Sequence, residues 1–83
     1  MTEEFEKAVE LVKKNIDIFS DNDKAFLYKY YKQATIGDIN INKPSFIYFK
    51  EKQKWNEWNS VKGVSKSDAM KEYINFVNNK LNK

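Results

Sequence analysis

Residues 28–40 read YKYYKQATIGDIN and decide how the chain is organised. The stretch contains the end of one predicted helix and the start of the longest predicted loop, with Gly37 as the residue that ends the helix. Tyr31 and Lys32 follow Tyr28 by three and four residues, so two phenol rings and an ammonium group share one patch of the helix. Phenols offer a flat apolar surface and lysine a compact charge. The patch predicts a site for a nucleotide with a phosphate on its sugar.

Apolar residues at helical spacing predict four helices. Helix one spans about residues 3–15 after the Thr2 cap. Helix two begins at the Ser20 cap, and its predicted inward stripe comprises Leu27, Tyr30, Tyr31 and Ala34. Helix three spans about residues 50–61. Gly63 is predicted to adopt the left-handed conformation before a capping box at residues 65–68 that begins helix four. The predicted fold is all-α, a small four-helix bundle of one domain spanning residues 1–83.

The segment from Gly37 to about Phe49 has no helical period, and Pro44 with its neighbouring asparagines argues against a strand. A loop of this length is uncommon in a small domain and is usually functional or disordered. We expect it to pack against the bundle through its apolar side chains, which are Ile39, Ile41, Phe46, Ile47 and Phe49.

The composition restricts the chemistry that the protein can perform. Its 83 residues include no cysteine and no histidine, which removes disulfides, thiolate nucleophiles, the best zinc ligands and the commonest general base. We therefore predict a binding protein that is not an enzyme and has no metal site. Fifteen basic and twelve acidic side chains give a net charge of +3, so a preference for anions must come from local clusters. Without a signal sequence or a long apolar run, an intracellular protein is expected, and a chain from Met1 to just after helix four favours a free-standing one.

Three blocks, in order, resemble one family. They are Tyr28-x-x-Tyr31-Lys32-Gln33-Ala34-Thr35-x-Gly37-Asp38, Lys50-x-Lys52-x-Lys54-Trp55-x-x-Trp58 and Gly63-x-Ser65-x-x-x-Ala69-x-x-x-Tyr73-Ile74. With a proline loop between the first two blocks, the pattern is similar to the acyl-CoA-binding proteins from Phe5 to Val77, without a gap. The resemblance implies an up-down-down-up bundle in which the long loop lets helices two and three run parallel.

The resemblance also implies a function. It suggests a monomeric cytoplasmic protein that binds long-chain fatty acyl-CoA esters, such as palmitoyl- or myristoyl-CoA, with high affinity. Such a protein carries these esters and holds a pool of them, without a cofactor, without nucleic acid and without stable membrane insertion. Two other classes remain open from the residues alone. A small basic helical module for nucleic acid or protein partners fits the interleaved lysines and aromatic residues, and a carboxylate thioesterase would use Asp38.

The family pattern assigns roles to seven positions. Tyr31 would stack on adenine, and Tyr28, Lys32 and Lys54 would meet the ribose 3′-phosphate. Lys13 and Lys50 would add positive charge near the nucleotide and its phosphates, and Tyr73 would close the pocket from helix four. Judged by spacing alone, Tyr31 and Tyr73 also fit core stripes, and alternate lysines also fit a solvated face. Trp55 and Trp58 are interpreted as structural.

Some positions depart from the family pattern. Pro44-Ser45 stands where the family usually has Pro-Gly, which asks a residue with a side chain to form the turn. Lys24 and Gln53 stand where the resemblance implies apolar or small side chains at the far end of the acyl chain. The preferred chain length is therefore left open by the sequence.

Overall fold

A computed structural model describes residues 2–82 and contains four α-helices in that range. They are α1 (Glu3–Lys14), α2 (Asp21–Thr35), α3 (Phe49–Asn59) and α4 (Lys66–Asn82), with a 3-10 turn at Ile16–Ile18 between the first two. No strand occurs within residues 2–82, so the predicted all-α fold is confirmed. The 3-10 turn was not predicted. None of the described helices is sufficiently long and apolar to cross a membrane.

The helices begin where the sequence places side-chain caps. The Thr2 hydroxyl accepts a hydrogen bond from the third residue of α1 at 3.1 Å. A complete capping box begins α2, in which Ser20 and Asp23 each accept from the other's backbone N–H at 3.0 Å. The Asp23 carboxylate also contacts the Lys80 ammonium of α4 at 2.8 Å. One residue therefore both caps α2 and joins it to the end of the last helix.

Contacts between α2 and α3 show that these helices run parallel. The Lys54 ammonium lies 5.9 Å from the ring centroid of Tyr28, and the Lys32 ammonium lies 4.9 Å from that of Trp58. Moving four residues along α2, from Tyr28 to Lys32, thus corresponds to moving four residues in the same direction along α3, from Lys54 to Trp58. The loop between them must return the chain to the start of α2, which explains its length.

The remaining helix pairs complete the up-down-down-up arrangement. Phe26 of α2 stacks on Phe76 of α4, with ring centroids 4.3 Å apart, and Tyr31 meets Tyr73, so these two helices are antiparallel. Thr2 meets Met70, and Phe5 packs edge-on against Tyr73 at 5.1 Å, so α1 and α4 are parallel. The topology implied by the resemblance is therefore confirmed.

Every helix contributes to the core. Its buried apolar residues are Phe5, Ala8, Val12, Phe19, Leu27, Ala34, Trp58, Val61, Ala69, Tyr73 and Val77. The predicted inward stripe of α2 is correct for Leu27 and Ala34 but wrong for Tyr31, whose side chain is 39% exposed. Tyr31 lies at the edge of the core because its ring packs on Phe5 and Tyr73 from one side only.

A buried amide joins the end of α2 to the turn between α3 and α4. Gln33 is 1% exposed, and its Nε2 donates to Asp38 Oδ1 at 2.8 Å and to the Val64 carbonyl at 2.7 Å. The same Asp38 oxygen accepts from the Gly63 N–H at 2.8 Å. Gly63 has φ +97°, as predicted for the residue that reverses the chain there. These bonds pair the buried Nε2 of Gln33, while its Oε1 is buried without a hydrogen-bond partner among the described residues.

The expectation that the long loop packs down is wrong for most of its apolar residues. Ile39 is half-buried, but Ile41, Phe46, Ile47 and Phe49 are all more than half exposed. Backbone carbonyls hold the loop instead. Trp55 Nε1 donates to the Ile41 carbonyl at 2.8 Å, and Trp58 Nε1 donates to that of Gly37 at 2.9 Å. The loop is therefore attached to α3 through its main chain, which leaves its side chains facing outward.

Acidification should weaken the hydrogen bonds that Asp38 accepts from Gln33 and Gly63. Hydrogen bonds from the Gly63 N–H and then from Gln33 hold the pKa of Asp38 below its ordinary 3.8. As the pH falls, the unfolded chain takes up a proton before the folded chain does, so this carboxylate stabilises the fold above about pH 4 and loses that effect below it. We expect Asp38→Asn, which keeps an acceptor oxygen, to melt at a lower temperature than the parent at neutral pH, with the difference closing in acid.

The measurement is the melting temperature by circular dichroism as a function of pH. Asp17→Asn on the exposed 3-10 turn controls for the removal of one acidic side chain. A difference between Asp38→Asn and the parent that stays constant at all pH values would contradict this account.

Candidate functional site

A groove of about 460 Å³ lies between the end of α1 and the parallel pair α2 and α3. Its apolar lining includes Val12, Ile16, Ala25 and Leu27, and its polar lining comprises Asp21, Lys24, Tyr28, Gln53, Lys54 and Glu57. Ile16 of the 3-10 turn and Val12 of α1 line the groove together with residues of α2 and α3. An apolar floor with a charged rim suits a ligand that has a long apolar part.

Two lysines lie against aromatic rings beside the groove. The ammonium of Lys54 lies 5.9 Å from the ring centroid of Tyr28, and that of Lys32 lies 4.9 Å from the ring centroid of Trp58. Among residues 2–82, neither ammonium group is within ion-pair distance of a carboxylate. Cation–π contact orients an ammonium group while its N–H donors stay available. Both lysines can therefore bind an anion without first breaking an ion pair.

Tyr31 belongs to an aromatic cluster one turn beyond Tyr28. Its ring lies nearly parallel to that of Phe5, with centroids 6.1 Å apart and an interplanar angle of 21°. The exposed side of Tyr31 borders a second hollow of about 280 Å³, whose other lining residues are Phe5, Glu6, Val9 and Glu10. A planar group could stack there on a ring that is already held in place by its neighbours.

Tyr73 stands behind this cluster and is almost fully buried. Burial raises the pKa of its phenol to about 12, and the nearby Tyr31 adds to the rise. Burial likewise raises the pKa of the Tyr28 phenol. Both phenols are therefore neutral at physiological pH.

The structure brings five of the seven predicted site residues into two adjoining groups. Tyr28, Lys32 and Lys54 lie along the contact between α2 and α3, while Tyr31 and Tyr73 lie towards α1 and α4. Their assignment to a ligand stays a prediction.

The two other predicted residues are exposed lysines outside these groups. The ammonium of Lys13 is 3.6 Å from the Glu10 carboxylate in a solvent-exposed pair, which is a weak interaction that a phosphate could replace. Lys50 is exposed one turn before Lys54.

Sequence reasoning missed several residues of the groove. Asp21, Val12, Ile16 and Glu57 line it, but nothing in their local pattern separates them from ordinary capping, core or surface positions. Glu57 is joined to Lys29 at 3.7 Å across α2 and α3. Sequence reasoning did not place Gln33 in the core. A polar residue on the inward side of a helix, close to the glycine that ends it, is a signal that could have indicated burial.

Two kinds of chemistry lack a suitable arrangement. No group of three or more acidic, histidine or cysteine side chains is placed to hold a metal ion within the described part of the chain. Asp38, the acid considered for hydrolysis, accepts two hydrogen bonds at the end of α2 and does not line the groove. Its lowered pKa makes it a poorer base than a free carboxylate.

Comparison with known proteins agrees with this geometry. Residues 2–77 match the family model described as acyl CoA binding protein. The chain is 43% identical over 77 residues to the acyl-CoA-binding protein of Gossypium hirsutum, an alignment that covers 93% of this chain and 86% of that protein. The crystal structure of Oryza sativa acyl-CoA-binding protein 2 has a TM-score of 0.89 at 41% identity, covering 96% and 87% of the two chains. The crystal structure of ACBP from Moniliophthora perniciosa has a TM-score of 0.88 at 37% sequence identity, and the alignment covers 99% of this chain and 82% of that chain.

The buried phenol of Tyr73 should titrate well above the ordinary range of a tyrosine, with a pKa of about 12. Because its folded pKa is above the ordinary 10.0, the unfolded chain loses this proton first as the pH rises. The neutral phenol thus stabilises the fold below about pH 10, and the contribution is lost as the pH approaches about 12. We expect Tyr73→Phe to remove the absorbance step near pH 12 from the ultraviolet titration and to flatten the alkaline fall of the melting temperature.

Tyr48→Phe is the matched control, because Tyr48 is exposed and lies outside the cluster. If Tyr73→Phe and Tyr48→Phe changed the same alkaline step, Tyr73 would not be buried as described.

Proposed function

The chain belongs to the acyl-CoA-binding protein family, and from this premise we propose that it binds long-chain fatty acyl-CoA esters tightly and carries them without altering them. In this proposal residues 1–83 form one acyl-CoA-binding domain that acts as a cytoplasmic monomer and holds a pool of the esters. The observation that carries the proposal is the apolar groove with Tyr28 and Lys54 in its lining, together with the exposed Tyr31 about one turn further along α2.

The nucleotide end of the ligand is proposed to lie on the lysine and tyrosine side. Adenine stacks on the exposed face of Tyr31, which Phe5 supports from behind. The ribose 3′-phosphate takes hydrogen bonds from Lys32, Lys54 and the Tyr28 phenol. Lysine suits this role because an ammonium group can meet several phosphate oxygens from a flexible stem. Lys13, Lys50 and Tyr73 contribute at the margin of the same region.

The acyl chain is proposed to lie in the groove against Leu27, Val12 and Ala25. Each buried methylene contributes about 0.8 kcal/mol, so a chain of about sixteen carbons is worth on the order of 10 kcal/mol before ordering and partial exposure reduce it. The apolar part therefore dominates affinity, while the phosphate contacts select coenzyme A. A bound thioester is shielded from water, and a sequestered ester neither forms micelles nor enters membranes.

Calorimetry can test this division of roles. We expect palmitoyl-CoA to bind far more tightly than either free coenzyme A or palmitate, because the two halves use separate contacts in one site. Lys32→Ala and Lys54→Ala should each weaken binding roughly tenfold to a hundredfold, as a charge-assisted phosphate contact is worth about 1.5–3 kcal/mol. Thermal stability should change little, since rim charges carry little folding free energy.

Lys71→Ala is the matched control, because Lys71 is an exposed lysine on α4 away from the groove. Equal affinity for palmitate and palmitoyl-CoA would refute the proposed role of the nucleotide. Steep weakening by salt together with binding of single-stranded nucleic acid that acyl-CoA does not displace would assign the lysines to nucleic acid instead.

The far end of the groove should limit the acyl chain. Lys24 and Gln53 line it where the resemblance implies apolar or small groups, and a lysine stem can cover an apolar tail while its charge stays in water. We expect affinity to rise with chain length and to level off beyond about sixteen carbons. Without this limit, each further buried methylene would add up to ~0.8 kcal/mol. The combined variant Lys24→Met, Gln53→Ala should move the plateau to longer chains.

The measurement is an affinity series over acyl length for the parent and the combined variant. Lys7→Met with Asn78→Ala, which lies on the surface between α1 and α4, controls for unspecific gain of apolar surface. An identical rise through twenty carbons in all three proteins would show that Lys24 and Gln53 do not set the limit.

A further inference from the structure

Four consecutive large apolar side chains before and at the start of α3 have no partner in the proposed acyl-CoA site. Phe46 is 77% exposed, Ile47 67%, Phe49 66% and Tyr48 57%. We refer to residues 46–49 as the apolar tip. Single exposed apolar residues are normal on protein surfaces, but a run of four is typical of a contact surface.

The apolar tip is a projection and not part of a groove. The Tyr48 N–H donates to the Ser45 carbonyl at 2.9 Å, which closes a turn directly before α3 begins at Phe49. The four side chains are more than half exposed, and none of them lines the groove or the hollow at Tyr31. Such a projection fits a soft apolar layer that deforms around it, whereas a rigid protein partner would need a matching cavity.

The net positive charge of the chain is concentrated around this projection. Residues 39–56 contain four lysines and one acid, Glu51, so the rest of the chain has eleven basic and eleven acidic residues and no net charge. The four lysines are Lys43, Lys50, Lys52 and Lys54. None of them is ion-paired with a carboxylate in the part of the chain that the structure describes. Lysines that precede and follow an apolar segment complement a negatively charged apolar layer.

We infer that the apolar tip and its flanking lysines form a docking surface for a bilayer that contains anionic phospholipids. The Phe, Ile and Tyr side chains enter the interface between headgroups and acyl chains, where aromatic residues are favoured. Lys43 and Lys52 attract the headgroups from either side of the tip. Because few side chains enter and each lysine contributes modestly, the contact is peripheral and reversible.

The same charge argues against a second copy of the chain as the occupant. Two copies that met through this surface would bring two sets of unpaired lysines together, and like charges repel across an interface. A bilayer with anionic headgroups supplies the opposite charge to the lysines and an apolar layer to the tip at the same time.

The docking surface and the groove share α3. Gln53 and Lys54 follow the apolar tip by about one turn of the helix, so docking places one rim of the groove near the headgroups. The inference does not depend on what the groove binds, because vesicle binding and acyl-CoA binding are measured separately and the variants that test docking leave Lys50 and Lys54 unchanged.

Vesicle flotation can test the inference with the whole protein. We expect it to float with phosphatidylcholine vesicles that contain phosphatidylserine and to stay behind with phosphatidylcholine alone. Phe46→Ser with Ile47→Ser should reduce the partition coefficient by about tenfold or more, because two apolar side chains that enter the bilayer are lost. Lys43→Gln and Lys52→Gln should each reduce it roughly fivefold, and added salt should weaken binding by the parent.

Leu11→Ser with Lys14→Gln is the matched control, since it removes one exposed apolar side chain and one exposed lysine from the outer face of α1. It should float like the parent. All variants should keep the parent's circular dichroism spectrum and melting temperature, because the changed residues are exposed except for the half-buried Lys52, which has no ion pair in the described part of the chain. The Phe46→Ser, Ile47→Ser protein should also keep the parent's affinity for palmitoyl-CoA.

Three outcomes would overturn the inference. The parent could fail to float with anionic vesicles, or the apolar-tip variant could float as well as the control. In the third outcome, sedimentation velocity without vesicles shows a dimer that dissociates when Phe46 and Ile47 are replaced, and the parent does not bind vesicles. That result would assign the surface to a second copy of the chain.

Discussion

The geometry of the molecule depends on the attachment of Trp58 to Gly37. The indole is buried, its N–H donates to the carbonyl of the residue that follows the α2 cap, and its ring supports the Lys32 ammonium. This one side chain therefore fixes the end of α3 against the end of α2. Once the two ends coincide, the chain between them has to run back along the bundle, and the helices lie parallel. The groove between them is a result of that constraint.

Much of this arrangement could be predicted from local chemistry. Thr2, Ser20 and Gly63 stand at helix boundaries because they satisfy unpaired backbone groups or adopt a left-handed conformation, and both properties belong to single residues. Periodic apolar residues give the helices themselves. The direction of α3 relative to α2 has no such local signature. It was available only because three spaced blocks resemble a known family.

The errors share a physical cause. Tyr31 was placed in a core stripe, and the loop residues Ile41 and Phe46 were expected to pack down, because apolar character was equated with burial. In a chain of 83 residues the core is filled by the helices, and surface area is large relative to volume, so further apolar side chains stay outside. Gln33 is the converse case. Its amide is buried because its Nε2 donates to Asp38 and to the Val64 carbonyl, partners outside the helix that periodicity does not register.

The pairing of the first helix with the last has a consequence for the order of folding. α1 packs principally on α4, with Phe5 against Tyr73, so the contacts that bury its apolar face join residues almost seventy positions apart. During synthesis α1 leaves the ribosome before α4, so the helix that covers most of its apolar face is missing until α4 follows. Such non-local contacts slow folding relative to helical hairpins, and a nascent chain that stalls before α4 would present Phe5, Ala8 and Val12 to chaperones.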